Sequence, residues 1–557
     1  MTHRRLRALF ALFAVATVVL SLRTAYWQTL GRDQLLAQAT VQIRSDLVLA
    51  ANRGVIRDRT GAILATTVPL RSLYAIPARM PDHAAAARAL APLIGMTVAD
   101  IRERLDSGAE WLYLRRRLAE PAADAVAALA LPGLGFELEP KRLYPNDAIG
   151  AHVLGFVDDE GVGRSGIEGR YDDVLSGRPG SLVVERDPAN RTLAVGLRSA
   201  IPPRDGSDLT LTLDLAVQAA AERELALAMQ KEKATGGSVV VLDPRDGAVI
   251  ALASAPSFDP GHVGAAASQS LRDHATGLLY EPGSTMKAIT IAAAIDQHVV
   301  TPTTTYNDVG YAVVGGRVLH NALGKSYGTT TVTQILERSA NAGAAFVAGK
   351  LGADQLHRYL EAFGFGAPTG IDLVGEAGGE VRALAEWYPV DVGTVAFGQG
   401  ISVTPLQLAS AYAVIANGGT LYRPYVVASR RDADGEHRTA PVAVSQPVTT
   451  ETAATLRGML TSTVDNGIAH NAAIAGFSVG GKTGTAQIAS PDGSYVDDQY
   501  VSSFAGFAPA EDPRFVAVIV LERPQSKLLG TLTAMAAFRG MALDALRYAR
   551  VQPDRAR

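Results

Sequence analysis

The chain has 557 residues, room for two to four domains, and its 48% hydrophobic and 19% charged content fits globular packing with a membrane element. A formal net charge of -3 argues against a nucleic-acid partner. The absence of cysteine excludes disulfides, zinc–thiolate sites and a cysteine nucleophile.

Arg4, Arg5 and Arg7 precede the uncharged run Ala8 to Leu22, and Arg23, Tyr26 and Trp27 follow it. A basic flank, an apolar span and an aromatic belt predict an uncleaved single-pass anchor. The run is short for a bilayer of about 30 Å, and continuation through Trp27 with snorkelling of Arg7 and Arg23 supplies the length. A cleaved signal peptide is the alternative, although no small-x-small site precedes Arg23. Either reading places the rest of the chain outside the cytoplasm.

Gly31 to Leu49 reads as a helix leading out of the membrane. Arg53 to Ala65 reads as a hairpin turning at Asp58 to Gly61. Asp82 to Arg104 reads as two short helices around Gly95-Met96. Arg115-Arg116-Arg117 is a charge run, expected to be a solvated face. Gly163, Gly166 and Gly169 do not have G-x-G-x-x-G spacing, and no cofactor is assigned to them. The ten histidines contain no H-x-x-x-H pair, so residues 30 to 205 are expected to be structural or docking.

Leu209 to Leu213 alternates as a strand, and Asp214 caps a helix through about Lys231. Gly237 to Leu242 and Ala248 to Ala253 flank Asp243 to Gly247 as a hairpin. Both runs are almost wholly apolar, which predicts a sheet covered on both faces. Helices follow at Thr331 to Glu337, Ala342 to Leu351, Ala353 to Phe363 and Pro405 to Asn417. Strand texture returns at Phe477 to Ile488, Ser502 to Phe507 and Phe515 to Leu521, and Thr533 to Ala549 closes the chain as a helix. Strands at both ends of a helical insert predict one sheet that joins distant segments.

Three motifs carry chemistry. Ser284 follows Pro282-Gly283 where a helix would begin, and Lys287 lies three residues on, on the same helical face. A hydroxyl at the positive end of a helix dipole beside an amine is one arrangement for covalent catalysis. A serine at a helix start is also an ordinary N-cap. Among the eight lysines of the chain, Lys287 alone lies three positions after a serine. Ser339-Ala340-Asn341 is the second motif. The third is Gly481-Lys482-Thr483-Gly484-Thr485, in strand-like sequence. Glycine in a strand marks a close approach. A lysine with two hydroxyls there suits a carboxylate, and an edge strand suits an extended peptide. Gly476 to Thr483 also fits the P-loop pattern. No clear strand precedes Gly476, however, and strand-like residues rather than a helix follow Thr483.

Ser-x-x-Lys, Ser-x-Asn and Lys-Thr-Gly in this order form the set of penicillin-binding proteins and serine β-lactamases. Glu281-Pro-Gly-Ser-Thr-x-Lys287, Phe397-Gly-x-Gly-Ile-x-Val-Thr-Pro-x-Gln407 and Gly481-Lys-Thr-Gly-Thr-Ala-Gln487 resemble the class B penicillin-binding proteins. Arg53-Gly-x-Ile-x-Asp-Arg-x-Gly61, Gly163-x-Ser-Gly-Ile-Glu168 and Leu175-x-Gly-x-x-Gly180 resemble the non-catalytic pedestal of that class. Glu281-Pro-Gly-Ser-Thr and Ala255-Pro-Ser-Phe-Asp-Pro260 look most like its division-specific (FtsI-type) members. One departure is the absence of the family's proline near Ala536 to Phe538.

The resemblance implies an α/β (α+β) fold in which a central antiparallel sheet is flanked by helices, beside an elongated pedestal. It implies a cytoplasmic tail at 1–7, an anchor at 8–28, a dimerisation-type pedestal at 29–205, a transpeptidase domain at 206–550 and a tail at 551–557. It implies acyl transfer on D-alanyl-D-alanine stem peptides of peptidoglycan, with covalent binding of β-lactams and no cofactor or metal. Ser284 would be the nucleophile, Lys287 its base and Ser339 the proton relay, with Asn341 holding substrate and Lys287. Lys482, Thr483, Gly484 and Thr485 would bind the terminal carboxylate. Implied partners are a SEDS-type membrane glycan polymerase and other division proteins. An elongation-type transpeptidase, a β-lactam sensor or carboxypeptidase, and a non-catalytic scaffold remain as alternatives.

Overall fold

The computed structural model describes residues 2–34, 44–185, 198–490 and 495–555. They form two compact units. One comprises Met1–Arg53 with Ser176–Gly206, and the other comprises Gly54–Leu175 with Ser207–Arg557.

In the first unit, helix α1 (Thr2–Gln28) is long and apolar enough to cross a membrane, with a mean hydropathy of 2.0 in its most apolar window and no burial. At 1.5 Å per residue its 27 residues reach about 40 Å, more than the hydrocarbon thickness. The remainder is a three-stranded antiparallel sheet in which Gly180–Glu185 pairs with both Arg44–Leu49 and Arg198–Ile201. The expected helix over 31–49 is therefore corrected: 44–49 is a strand, and 35–43 lies outside the described residues. The reason is long-range. Arg44 stands opposite Glu185 and Leu47 opposite Leu182, partners that a local pattern does not reveal.

The second unit begins with β1 (Ile56–Arg57) and β2 (Ile63–Ala75), joined by the expected turn. Asp58 Oδ1 closes it by accepting from the backbone N–H groups of Thr60 and Ala62, each at 2.8 Å. Helices α2 (His83–Ile94) and α3 (Val98–Leu105) meet at Gly95, whose φ of +65° ends α2. They bury Leu90, Ile94, Ile101 and Leu105 against β2 and β3 (Leu112–Leu118). β4 (Leu134–Leu143) pairs with the other edge of β2. β1 also pairs in parallel with β5 (Asp208–Leu211), which in turn pairs with Val427–Asp432. One seven-stranded sheet thus joins strands from residue 56 to residue 438 of the sequence.

Asp214 caps α4 (Leu215–Glu232), accepting from Ala216 N and Val217 N. β6 (Gly236–Leu242) and β7 (Val249–Ala255) follow as the expected hairpin. The central sheet is antiparallel, ordered β7-β6-β12-β11-β10, where β10 is Gly480–Ala489, β11 is Tyr495–Ala508 and β12 is Phe515–Glu522. Strands β6 and β12 are apolar on both faces because helices cover both. Val240, Leu242, Val516, Val518 and Val520 enter one core with α5 (Lys287–Asp296) and α8 (Pro405–Asn417). Val239, Val241, Ala517, Ile519 and Leu521 enter another with α4 and the closing helix α10 (Lys527–Tyr548). At about 1.5–3 kcal/mol for each large apolar side chain buried, these two layers dominate the stability of the unit.

The Gly163-x-Ser-Gly-Ile-Glu168 segment has a structural role. Glu168 is fully buried, and its Oε1 accepts from Arg142 Nε at 2.6 Å. Arg142 also donates to Gly54 O and Thr67 Oγ1. Gly163 is required because a Cβ there would lie 1.8 Å from Glu168 O. Removing one partner of a buried ion pair strands the other charge, at about 3–5 kcal/mol. Glu168→Ala is therefore expected to lower the unfolding free energy by about that amount, measured by thermal or denaturant unfolding. A loss under about 1 kcal/mol would contradict this structural role.

Candidate active site

The nucleophile candidate sits in a single 3₁₀ turn, Gly283–Met286, which runs directly into α5. Ser284 is partly exposed, while Pro282, Gly283, Thr285, Met286 and Lys287 are buried. The N-cap reading of Ser284 is corrected: Pro282 is the N-cap of the turn, and Ser284 lies inside it with its hydroxyl facing an amine. Backbone contacts hold the turn. Gly283 N donates to Gly398 O at 3.1 Å, and Tyr412 Oη donates to Thr285 O at 2.9 Å. A Cβ on Gly398 would lie 2.2 Å from Gly283 O, so the Phe397-Gly-x-Gly segment needs glycine to press against the turn.

Lys287 lies on the first turn of α5 and is completely buried. Its Nζ lies 2.9 Å from Ser284 Oγ, 2.7 Å from Ser339 O, 2.7 Å from Asn341 Oδ1 and 3.2 Å from Ser339 Oγ. Burial, and then the charge of Lys482, hold this amine well below the usual lysine range. None of these partners is a carboxylate that would offset the lost solvation of a charge.

Ser339 ends α6 (Val332–Arg338) and Asn341 starts α7 (Asn341–Leu351). Ser339 adopts φ 57°, ψ 41°, a left-handed conformation that costs a non-glycine residue about 1–2 kcal/mol. Asn341 is fixed at both ends of its amide, accepting from Lys287 and donating to His320 O at 3.1 Å. The start of α7 is held by Asn321, which accepts from Ala342 N and donates to the buried Asp308 carboxylate.

Lys482 reaches the same point from β10. Its Nζ donates to Ser339 Oγ at 3.0 Å and lies 3.3 Å from Thr483 Oγ1. It too is fully buried, and burial pushes it down to about 7. Two amines around one hydroxyl cannot both stay charged in a dry site. Burial depresses both amines, and the charge of Lys482 depresses Lys287 further.

β10 is the outermost strand of the sheet. Gly484 lets it lie against the nucleophile turn, since a Cβ there would come within 2.3 Å of Ser503 Oγ and 2.9 Å of Pro282 O. Thr485 Oγ1 lies 2.9 Å from Thr531 Oγ1 of α10. Because β10 continues as strand to Ala489, no helix follows Lys482-Thr483 and the P-loop reading falls.

Ser284, Lys287, Ser339, Asn341 and Lys482 thus form one hydrogen-bonded cluster, with Thr483 on Lys482 and with Gly484 and Thr485 beside the turn. Sequence reasoning missed Thr531 and Tyr412, neither of which lies in a motif. It also left the glycines after Phe397 without a role. Their spacing was visible, but the surface they press on was not.

Residues 237–539 match the penicillin binding protein transpeptidase domain family, and residues 48–211 match the penicillin-binding protein dimerisation domain family. Stage V sporulation protein D of Bacillus subtilis is 33% identical over 542 residues, covering 95% of this chain and 84% of the relative. Peptidoglycan D,D-transpeptidase FtsI of Escherichia coli is 30% identical over 540 residues, covering 96% and 90%. The structure of penicillin binding protein 3 from Mycobacterium tuberculosis in complex with aztreonam superposes with a TM-score of 0.72 at 26% identity, over 91% of this chain and 98% of that one.

The strain at Ser339 is separable from its hydrogen bonds. Ser339→Gly and Ser339→Ala both remove the hydroxyl, but only glycine relaxes the positive φ. Ser339→Gly is expected to be more stable than Ser339→Ala by about 1 kcal/mol in thermal unfolding. Equal stabilities would contradict a strained backbone there.

Proposed function

Because this chain belongs to the class B penicillin-binding proteins and is a peptidoglycan D,D-transpeptidase, we propose that Ser284 is the nucleophile it acylates and Lys287 the base that activates it. One observation carries this assignment. A neutral lysine has two N–H donors and one lone pair. The acceptors nearest Lys287 Nζ are the carbonyls of Ser339 and Asn341, both at 2.7 Å, and they occupy the two N–H bonds. The lone pair is left for the Ser284 hydroxyl at 2.9 Å. In its neutral form the base is therefore also oriented.

The steps follow from that geometry. Ser284 Oγ attacks the carbonyl carbon of the penultimate D-Ala while its proton passes to Lys287. Ser339, between the two amines, relays a proton to the departing D-Ala nitrogen. Lys482 supplies positive potential, and Thr483, Gly484 and Thr485 present the strand edge and hydroxyls that receive the terminal carboxylate. Asn341, through the rest of its amide, holds the donor peptide. Backbone N–H groups of Ser284 and Thr485 form the oxyanion hole, where one donor is worth about 3–4 kcal/mol. The amine of a second stem peptide then takes the acyl group and frees Ser284.

The wider setting is proposed on the same basis. The protein is anchored in the membrane by α1, with its N-terminus in the cytoplasm and the catalytic domain outside. Residues 29–205 act as the pedestal, 206–550 as the transpeptidase domain, and 551–557 as a tail. The chain takes β-lactams covalently at Ser284, as the aztreonam complex of the mycobacterial relative suggests. It acts in septal wall synthesis beside a SEDS-type polymerase and division proteins, a reading supported by the relative named FtsI. Depletion that gives rounded cells instead of filaments would overturn the septal role.

Fluorescent penicillin is expected to label the wild type stoichiometrically and Ser284→Ala not at all. Stoichiometric label on Ser284→Ala would remove the nucleophile assignment. Lys287→Ala, still folded, is expected to acylate about 10²–10⁴-fold more slowly. The pH profile has a definite sign. Acylation needs Lys287 neutral, so the rate falls as pH drops below its depressed pKa. It needs Lys482 charged, so the rate also falls as pH rises through about 7. A rate constant that is flat from about pH 6 to 10 would contradict both assignments.

A further inference from the structure

Strand β3 lies at one side of β2 and carries the arginine run that the sequence marks as a solvated face. Only part of that expectation holds. Arg115 and Arg116 are exposed, but the run lines a groove of about 830 Å³ that also takes in Arg104, Lys141 and His262. Consecutive strand residues point to opposite faces. Here a register shift separates the Leu73–Arg115 and Arg71–Leu118 pairings, and Arg117 adopts a left-handed φ of 52°. Such irregularities re-aim side chains and collect at functional positions.

The groove is strongly cationic in a protein of net charge -3. Five fixed cations (Arg104, Arg115, Arg116, Arg117 and Lys141) face two lining carboxylates, Asp100 and Asp159. Arg116 pairs with Glu139 at 2.5 Å, and Arg117 lies 3.6 Å from Asp159. Arg115 and Lys141 have no ion-pair partner among the described residues. At the Leu112 end of the strand that carries Arg115 is an aromatic surface. Trp111 is 44% exposed, and its ring sits 4.6 Å from that of Tyr113, which lines the groove, and 5.6 Å from that of Tyr74. Met96 and Leu114 are the aliphatic side chains in the lining, too few for an apolar helix to dock. Flat amphipathic rings next to unpaired cations suit a saccharide that bears carboxylates. The walls come from both family segments, with His262 from the transpeptidase match and the arginines from the dimerisation match. Junctions of this kind favour ligand sites.

We propose that this groove binds nascent, un-cross-linked glycan strands through the carboxylates of their stem peptides, with Arg115 and Lys141 as ionic contacts and Trp111 as the sugar platform. The proposal rests on the transpeptidase reading, because the strands are the polymer that this reaction consumes. Holding a strand in the groove raises the local concentration of stems for the enzyme without any change in the catalytic residues.

The test uses the full chain in detergent with Ser284 already blocked by benzylpenicillin, and fluorescent glycan strands carrying pentapeptide stems. Wild type is expected to bind the strands with a salt-dependent Kd, and R115E/K141E at least tenfold more weakly. Trp111→Ala is expected to weaken strand binding but not binding of poly-glutamate of matched charge. Strands stripped of their stems should not compete. Unchanged strand binding by R115E/K141E would overturn the proposal, as would equal binding of stripped strands. Tighter binding of poly-glutamate than of strands would also overturn it, pointing to an acidic protein. Penicillin labelling of each variant at the wild-type rate shows that it is folded. Loss of labelling in the wild type would instead overturn the catalytic reading, so the two failures are distinct.

Discussion

Two lysine amines, Lys287 and Lys482, converge on the single hydroxyl of Ser339 with neither side chain exposed to water. Coulomb repulsion and lost solvation both oppose two charges there. The tension is relieved if one amine gives up its proton; burial and the charge of Lys482 depress Lys287, and the carbonyls of Ser339 and Asn341 fix the direction of its N–H groups. Burial that would be a liability elsewhere becomes what frees a lone pair to accept a proton. Such a site is stable only if the surrounding fold is rigid enough to resist letting water in.

The fold meets that requirement by clamping three distant segments. Ser284 and Lys287 sit on a turn and helix packed in the larger core, Ser339 and Asn341 on the break between α6 and α7, and Lys482 on the outer strand of the central sheet. Close backbone approach does the clamping. Gly398 presses on Gly283, and where the turn meets β10 Gly283 lies against Thr485 and Gly484 against Pro282. A side chain at Gly398 or Gly484 would force the segments apart, and Lys287 and Lys482 would no longer share Ser339. The edge position of β10 serves a different need, since an extended peptide can pair only with a strand that has a free side.

Much of this was legible in the residues. The apolar runs at 237–242 and 515–521 lack alternation because both strands lie inside a sheet covered by helices, and that texture is local. The cap Asp214 was equally local, and the helices that begin at 215, 332 and 405 run close to the expected bounds. Whatever depends on a remote partner was not legible. Arg44 to Leu49 looks helical until Gly180 to Glu185 pairs with it. The parallel pairing of Ile56 with Leu209, and of that strand in turn with Val427–Asp432, ties the pedestal sheet to the second half of the chain, and no spacing announces it. Ser284, Ser339 and Lys482 could be grouped only through the order of their motifs, because separations of 55 and 143 residues carry no geometry. Thr531 and the arginine groove were hidden for the same reason.

The protonation state of Lys287 is the point on which the account turns. The chain holds only eight lysines, so lysine side chains labelled with ¹³Cε and ¹⁵Nζ give a countable NMR spectrum, and conservative substitution of Lys287 and Lys482 assigns the two buried ones. The account predicts that near pH 7.5 the Lys287 amine is neutral, depressed by burial and by the charge of Lys482, and that Lys482 titrates near 7. A Lys287 amine that remains charged at pH 7.5 while Lys482 is neutral would contradict it.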